Sequence, residues 1–216
     1  MTRITPEILL EAYRQGIFPM AESRDADDLF WVEPKTRGIL PLDNFLISKS
    51  LARTIRKNKF RVTIDTAFAR VIRLCGSKIA GRVETWINEE IIELYTALYR
   101  ERIAHSIEVW HLGQLVGGLY GLALGGVFFG ESKFHLERDA SKVALAYTVA
   151  RLKEGGFRLF DIQFLTEHLA RFGAIEISRD PYKKLLAEAL EVAADFYRMP
   201  PEPDGPAILQ SIAQTS

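Results

Sequence analysis

The sequence predicts an α+β protein in which helices pack on a mainly antiparallel sheet. Two observations support this fold class. Predicted helices and strands do not alternate regularly along the whole chain. A first group consists mainly of helices, and a second group, later in the chain, consists of a helix, a strand, a helix and a strand. Between these two groups, residues 105–132 contain apolar runs separated by turns near Leu112–Gly113 and Leu124–Gly126, which is typical of an antiparallel meander.

The composition indicates one full domain with enough material for a small second one. The 216 residues are 48% hydrophobic and 26% charged, and the formal net charge is zero. A polyanionic partner must therefore be argued from local clusters of charge. Since the sequence shows no apolar run of membrane length and no signal peptide, we expect a soluble cytoplasmic protein.

The cysteine and histidine residues do not indicate a metal site. The single Cys75 excludes an internal disulfide, and its apolar helical surroundings favour a small core residue. The four histidines lack close ligand spacing, so we predict no bound metal. One of them, His105, could serve as a general base, although a structural histidine is the simpler interpretation.

Residues 1–45 are predicted to form a small N-terminal domain. It opens with a helix over 5–15, for which Thr5 is the candidate N-cap and Gly16 marks the end. The two prolines and the alternating hydrophobicity of residues 29–42 are typical of short edge strands.

Residues 46–60 are predicted to form a basic helix that links this domain to the rest. Apolar residues recur at helical spacing over 45–58, and the other side carries six cations with no acid among them. In an otherwise neutral chain, such a cluster indicates a contact surface for a phosphate backbone, with a solvated amphipathic helix as the alternative. The six cations are Lys49, Arg53, Arg56, Lys57, Lys59 and Arg61.

Residues 61–198 are predicted to form the larger domain, and residues 199–216 a weakly ordered tail. The tail is rich in proline and lacks periodicity. Besides the meander, strands are predicted over 60–64, 157–164 and 174–178, and helices over 66–75, 87–102, 139–154, 166–173 and 180–198.

The glycine-rich segment 115–134 does not match a phosphate-binding loop. A P-loop needs GxxxxGK[ST], and an acetyl-CoA loop needs Gln/Arg-x-x-Gly-x-Gly/Ala at the start of a helix; the segment has neither pattern. Its glycines are therefore predicted to allow bulges and close approach within strands. Glu131 lies near the end of this segment, and the pattern alone predicts a carboxylate at a strand end, exposed to water.

Asp161 and Gln163 are polar residues in an otherwise apolar strand. They lie two residues apart and so point to the same face. An acid and an amide in such a strand are unfavourable unless they are paired or used in function, and exposure at a sheet edge is the alternative. Trp86 and Tyr13 are likewise either core residues or platforms on which a base stacks.

Eight short motifs occur in one order over nearly the whole chain, and together they resemble the bacterial leucyl/phenylalanyl-tRNA–protein transferase family. The motifs are "AYRQGIFPM", "FWVEPKTRGILPL", "TWI", "AHSIEVW", "LVGGLYG", "FFGES", "ASKVAL" and "FDIQ…EHLARFGAIEI".

The resemblance implies a C-terminal domain of the N-acetyltransferase-like (GNAT-like) fold that does not use acetyl-CoA. It implies transfer of Leu or Phe, and less well Met, from aminoacyl-tRNA to the N-terminal Arg or Lys of a protein, which creates an N-degron. It also implies a monomer with no metal and no dissociable cofactor, because the aminoacyl ester is already activated.

The resemblance further implies roles for individual residues. Asp161 would polarise Gln163, whose side chain would help take up the proton of the α-amine. Glu131 would bind the cationic N-terminal residue of the acceptor. The remaining implied contacts are with the tRNA acceptor region (residues 49–61), with the 3′-adenosine (Trp86, with Tyr95 and Tyr13 nearby) and with the donor side chain (Leu119, Phe128, Leu145, Thr148, Leu152 and Phe160).

Four positions depart from the family's usual pattern. Lys133 and His135 stand where the family usually has Met and Ser, Thr148 replaces an aromatic residue, and Met20 stands where some members carry Trp. A polar residue and a nearby cation at the pocket predict an altered donor preference. Two other functions stay open: an acyl-CoA-dependent N-acyltransferase, and a non-catalytic tRNA-binding protein in which the polar strand residues are structural.

Overall fold

The structure is a computed structural model that describes residues 4–26, 28–77 and 85–214. Within these ranges it contains nine strands, eight α-helices and a short 3-10 helix at Leu42–Asn44. The helices are α1 (Pro6–Arg14), α2 (Lys49–Arg56), α3 (Phe68–Cys75), α4 (Glu89–Arg100), α5 (Ala140–Glu154), α6 (Glu167–Ala170), α7 (Arg179–Leu190) and α8 (Gly205–Ala213). The strands are β1 (Phe18–Ala21), β2 (Leu29–Val32), β3 (Thr36–Ile39), β4 (Arg61–Ile64), β5 (Ala104–His111), β6 (Gln114–Leu124), β7 (Val127–His135), β8 (Leu159–Gln163) and β9 (Ile175–Ser178).

The main sheet has seven strands in the order β4-β5-β6-β7-β8-β3-β9, and β1 pairs with β2 in a separate hairpin. The sheet is mixed, whereas the sequence predicted a mainly antiparallel one. Strands β7 and β8 run parallel, with Phe128 opposite Phe160. The crossover helix α5 lies between them in the chain and makes this pairing possible, because a hairpin turn cannot join parallel strands. The α+β class is confirmed.

Strand β3 belongs to the main sheet, although the sequence placed its residues in the N-terminal domain over 1–45. It pairs antiparallel with both β8 and β9. Opposite β8, the register shifts between Gly38 and Ile39, so that Gly38 faces Gln163 and Ile39 faces Asp161. This insertion brings Arg37 and Gly38 beside the polar residues of β8.

Helices cover both faces of the sheet, and each face has its own apolar core. On one face, α5 packs on β5, β6 and β7, and α2 and α8 pack around it. On the other face, α3 and α4 pack on the meander, and α1 and α7 lie beside them. Successive residues of β7 follow this division, since Phe128 belongs to the first core and Phe129 to the second.

The C-terminal tail contains regular structure that the sequence analysis did not predict. Helix α8 lies in the stretch expected to be weakly ordered, and it packs against α5 and α2. The local signals of this helix are its start, where the Asp204 side chain caps the N–H of Ala207 at 2.9 Å and Pro206 occupies the first turn; the proline-rich composition outweighed them in the prediction. Arg151 and Lys153 of α5 further hold the tail by donating hydrogen bonds to the backbone carbonyls of Phe196, Met199, Pro200, Ile212 and Gln214.

Candidate active site

A cavity of about 220 Å³ lies where β7 and β8 meet β1, α5 and the segment before α4. One wall is apolar, and several polar side chains converge on the same space. This combination is typical of a small-molecule or substrate site. The lining residues are Phe18, Met20, Trp86, Leu119, Gly130, Glu131, Ser132, Lys133, Leu145, Phe160, Ile162, Gln163, Phe164, Thr166 and Leu169.

The six residues predicted for the donor pocket divide into two groups. Leu119, Leu145 and Phe160 line the cavity. The other three, Phe128, Thr148 and Leu152, are fully buried in the core and are not among the lining residues. The hydroxyl of Thr148 donates to the carbonyl of Ala144 at 2.8 Å, within its own helix, so it adds no polar group to the cavity wall. Ile162 and Leu169 line the cavity but were not predicted.

Glu131 reaches the cavity because it is the extra residue of a β-bulge. In the pairing of β6 with β7, Gly121 faces Gly130 and Tyr120 faces Ser132, which leaves Glu131 without a partner opposite. A bulge of this kind redirects a side chain. Gly130 is required there, because a Cβ at this position would lie 2.7 Å from the Phe160 ring.

Three neutral donors surround the carboxylate of Glu131. Oε1 accepts hydrogen bonds from the Tyr13 hydroxyl at 2.7 Å and from Nε2 of Gln163 at 3.2 Å, and Oε2 accepts one from the Tyr95 hydroxyl at 3.1 Å. Burial raises the pKa of Glu131 to about 8, although the two phenol hydrogen bonds act in the opposite direction. A buried carboxyl group with this pKa gains much from an incoming positive charge.

Tyr13 and Tyr95 hold Glu131 and do not offer a stacking surface. Both are 0% exposed, which corrects their predicted place beside an adenosine. Their hydroxyls are hydrogen-bonded to each other as well as to Glu131. Burial and the nearby Glu131 raise the pKa of both phenols well above the usual value, so both stay neutral donors.

Asp161 and Gln163 lie side by side, but their contact differs from the predicted one. Oδ1 of Asp161 accepts a hydrogen bond from the backbone N–H of Gln163 at 2.8 Å, whereas the Gln163 side-chain amide donates to Glu131. Asp161 is 0% exposed, and its other partners are Arg37 and Tyr182. Asp161 therefore acts on the backbone of Gln163, and the expectation that it polarises the amide directly is corrected.

Gln163 has a strained backbone. Its φ is 57°, in the left-handed region, and the N–H of Phe164 donates to the carbonyl of Ile162 at 2.7 Å. A bond across one residue defines a γ-turn, and the form with positive φ at its centre is rare and unfavourable by about 1–3 kcal/mol. The turn ends β8 and directs the Gln163 side chain toward Glu131. Strain of this kind is concentrated at functional sites.

Four aromatic side chains line the cavity, and besides Phe160 of the apolar wall these are Phe18, Trp86 and Phe164. Trp86, predicted to contact an adenosine, is half-buried there. Phe164 is 45% exposed, and its ring lies edge-to-face with that of Phe18 at 5.7 Å. A half-exposed aromatic ring beside a cavity is a suitable platform for a base.

The six cations predicted to contact tRNA are all exposed. Leu51 and Ile55 bury the opposite side of α2, as predicted. Lys59 pairs with Glu137 at 3.4 Å, and Arg61 pairs with Glu202 at 2.6 Å. The other four, Lys49, Arg53, Arg56 and Lys57, have no ion-pair partner among the described residues, and we refer to them as the α2 cations.

A second group of positive residues lies near Lys133, a lining residue. Partial burial, followed by the charges of Lys133 and Lys142, lowers the pKa of His168. His135 and Arg171 act on His168 in the same direction. Lys142 is paired with Asp139 at 2.8 Å and Arg171 with Glu167 at 2.5 Å, so the charge of this group is partly neutralised, and Lys133 is the member that lines the cavity.

The other predicted features lie outside this cavity. His105 is buried, and its Nδ1 lies 2.8 Å from the carboxylate of Asp65, which favours the structural interpretation. In the part of the chain that the structure describes, no group of three His, Cys, Asp or Glu residues is placed to hold a metal ion. None of the described helices is long and apolar enough to cross a membrane.

Comparison with known proteins gives consistent matches. The leucyl/phenylalanyl-tRNA protein transferase family model matches residues 39–187, and the model for that family's N-terminal domain matches residues 2–35. The leucyl/phenylalanyl-tRNA–protein transferase of Paramagnetospirillum magneticum is 57% identical over 198 residues, covering 92% of this chain and 95% of that protein. Its namesake from Nitrobacter winogradskyi is 56% identical over 218 residues, covering 100% and 96%. A solved structure of FemX is 12% identical, with a TM-score of 0.49 over 83% of this chain and 70% of FemX.

Proposed function

The chain belongs to the leucyl/phenylalanyl-tRNA–protein transferase family, and from this membership we propose how its cavity serves the transfer of an amino acid from aminoacyl-tRNA to the N-terminus of a protein. The observation that carries the proposal is Glu131, a carboxyl group only 8% exposed in the lining of a largely apolar cavity. A buried carboxylate is unfavourable without a counter-charge, and its hydrogen-bond partners here are two phenols and an amide. It is suited to a cation that a substrate supplies.

The first residue of the acceptor protein supplies this cation. The guanidinium of an N-terminal Arg, or the ammonium of an N-terminal Lys, lies against Glu131 and replaces the proton that the carboxyl group holds at neutral pH. An acceptor with a neutral or acidic first residue leaves the carboxyl group without that partner. The product carries Leu or Phe at its new N-terminus and is an N-degron.

The apolar wall receives the side chain of the donor. Leu119, Leu145 and Phe160 form it, which favours Leu or Phe, and less well Met, over polar amino acids. Lys133 lines the same cavity, so we assign to it any difference in donor ranking from other family members. Thr148 takes no part, because its hydroxyl is bonded within α5.

The reaction forms a bond between the α-amine nitrogen of the acceptor and the ester carbonyl carbon of the donor, and it breaks the bond from that carbon to the ribose oxygen. The α-ammonium first gives one proton to water, and a second proton passes from the attacking nitrogen to the departing ribose oxygen. Gln163 positions the amine, since its amide lies 3.2 Å from Glu131. Because the ester is already activated, we propose no cofactor.

The tRNA end lies across the cavity mouth. Trp86 stacks on the 3′-adenosine, and the α2 cations contact phosphates of the acceptor region. Lys133 lines the cavity and is suited to the phosphate nearest the ester. We further propose a GNAT-like catalytic domain and a cytoplasmic monomer.

The test is transfer of labelled Leu from Leu-tRNA to a set of peptides that differ only in their first residue. Arg, Lys, citrulline and Glu are compared, because citrulline keeps the shape of Arg without its charge. We expect label on the Arg and Lys peptides and at least about tenfold less on the citrulline peptide, a difference of about 1.4 kcal/mol. Equal labelling of Arg and citrulline peptides would contradict the role of Glu131, and absence of label with Leu-, Phe- and Met-tRNA would contradict the reaction.

A further inference from the structure

The γ-turn at Gln163 needs support from outside its own strand. A residue other than glycine seldom adopts a φ of 57°, and it persists only where the surrounding structure holds it. The support comes from Asp161, whose Oδ1 accepts the N–H of Gln163 at 2.8 Å. If the Asp161 carboxylate rotated away, that N–H would lose its partner inside the protein.

Arg37 fixes the orientation of Asp161. Its Nε lies 2.9 Å from Oδ1 and 3.0 Å from Oδ2, and Nη2 donates to Oδ2 at 2.8 Å. The Tyr182 hydroxyl donates to Oδ2 at 2.5 Å. The guanidinium of Arg37, a planar fork of N–H donors, thus holds one edge of the carboxylate, and the phenol of Tyr182 holds another. Together they keep Oδ1 directed at the N–H of Gln163.

Arg37 is itself fixed on several sides. It is 1% exposed, its guanidinium lies 4.5 Å from the ring of Phe18 and 4.9 Å from that of Tyr182, and Nη1 donates to the carbonyl of Gly16 at 3.0 Å. Burial opposes its charge, but the carboxylate of Asp161 outweighs this effect and raises the pKa of Arg37. A lysine cannot reproduce this arrangement, because an ammonium has neither the planar fork nor the stacking faces.

The residue after Arg37 completes the support. A Cβ on Gly38 would lie 2.8 Å from both the backbone N of Leu165 and the carbonyl carbon of Phe164. Only glycine therefore lets β3 approach the chain as it leaves the turn. Adjacent residues of β3 therefore support the turn in two ways: Arg37 anchors Asp161, and Gly38 leaves space for the backbone of the turn.

From this geometry we propose that Arg37 is a positioning residue for the transfer reaction: through Asp161 it holds the γ-turn that presents the Gln163 side chain beside Glu131. The inference rests on the proposed role of Gln163 at the reacting amine. It explains why a buried ion pair lies directly behind a strained residue. On this proposal, Asp161 also acts on the reaction through the backbone of Gln163.

The test combines transfer kinetics with hydrogen exchange of the Gln163 backbone amide, measured by NMR on the full chain. The variants are Arg37→Met, which removes the charge, and Arg37→Lys, which keeps it without the fork. Arg151→Met is the matched control, because Arg151 is also 2% exposed but donates to tail carbonyls outside the cavity. If Arg37→Met does not fold, Arg37→Lys supplies the result.

We expect both Arg37 variants to lower kcat by about tenfold or more, with the donor KM changed by less than about threefold, and to speed exchange of the Gln163 amide by a similar factor. Arg151→Met should lower thermal stability without either effect. Unchanged kcat and exchange in Arg37→Lys, or equal losses in Arg151→Met, would overturn the proposal. A Gln163→Ala variant that keeps full kcat would remove the proposed role of Gln163, while the exchange measurement would still report whether Arg37 holds the turn.

Discussion

Replacement of Glu131 by Gln should change how stability depends on pH. The pKa of Glu131 is raised from 4.5 to about 8 in the folded protein. Between these values the folded chain holds a proton that the unfolded chain has lost, so the wild-type protein loses stability as pH rises through this window. Each pH unit per proton corresponds to about 1.4 kcal/mol, which sets an upper limit of about 5 kcal/mol for the total loss.

Urea unfolding at a series of pH values from 5 to 9 measures this effect. Glu131→Gln cannot titrate, and its amide can still bond with the phenols of Tyr13 and Tyr95, so its free energy of unfolding should fall less than that of the wild type between these limits. Glu137→Gln is the control, because Glu137 lies away from the cavity and its hydrogen bond from His111 lowers its pKa. Glu137→Gln should therefore leave the free energy of unfolding as dependent on pH between 5 and 9 as it is in the wild type. Parallel curves for the wild type and Glu131→Gln would refute the argument from burial.

The same titration should be visible in catalysis. With a pKa of about 8, roughly one tenth of Glu131 is ionised at pH 7, so binding of a cationic acceptor should weaken about tenfold between pH 9 and pH 7. The α-amine of the acceptor also titrates near pH 8. In the wild type, two groups ionise, so log kcat/KM for the acceptor should rise with a slope of about two per pH unit below pH 7. In Glu131→Gln only the α-amine ionises, so the slope should be about one. Equal slopes would contradict the assignment.

Three further predictions concern other parts of the chain. Trp86→Ala should raise the donor KM by the equivalent of about 1–3 kcal/mol of lost stacking, measured by transfer at varied aminoacyl-tRNA, with kcat nearly unchanged. Gly38→Ala should lower kcat about tenfold or more, because its Cβ would meet the turn backbone at 2.8 Å; transfer at saturating donor measures this. Arg151→Met should lower the free energy of unfolding by about 3 kcal/mol or more, because the backbone carbonyls of Phe196, Met199 and Pro200 lose a buried donor. Urea unfolding measures this loss, and the transfer assay at 25 °C should show unchanged activity.

Local signals account for much of the fold. The predicted N-cap of α1 is confirmed, since Thr5 Oγ1 accepts the N–H of Ile8. The strand predicted over 157–164 is observed at Leu159–Gln163. Periodicity and capping act over a few residues, so the sequence alone displays them. Bulging within a glycine-rich strand was also predicted, and Glu131 sits at such a bulge.

The supports of the site could not be predicted, because their partners lie far apart in the chain. Arg37 and Asp161 are separated by 124 residues, and Tyr13 and Glu131 by 118. The local sign is Arg37 itself, a cation in the four-residue strand β3, which needs a partner if it is buried. The tyrosines suggested stacking platforms, since a phenol pattern does not reveal whether its ring is buried.

We propose that Glu131 recognises the positive charge of the acceptor's first residue. The most direct measurement is a double-mutant cycle of transfer rates, in which wild type and Glu131→Gln each act on an Arg peptide and its citrulline counterpart. Glu108→Gln serves as the control for a change at another buried carboxyl group, which bonds Thr63 and Thr66 outside the cavity. We predict a preference for Arg of at least about tenfold in the wild type and in Glu108→Gln, falling close to one in Glu131→Gln. A preference that survives unchanged in Glu131→Gln would contradict the claim.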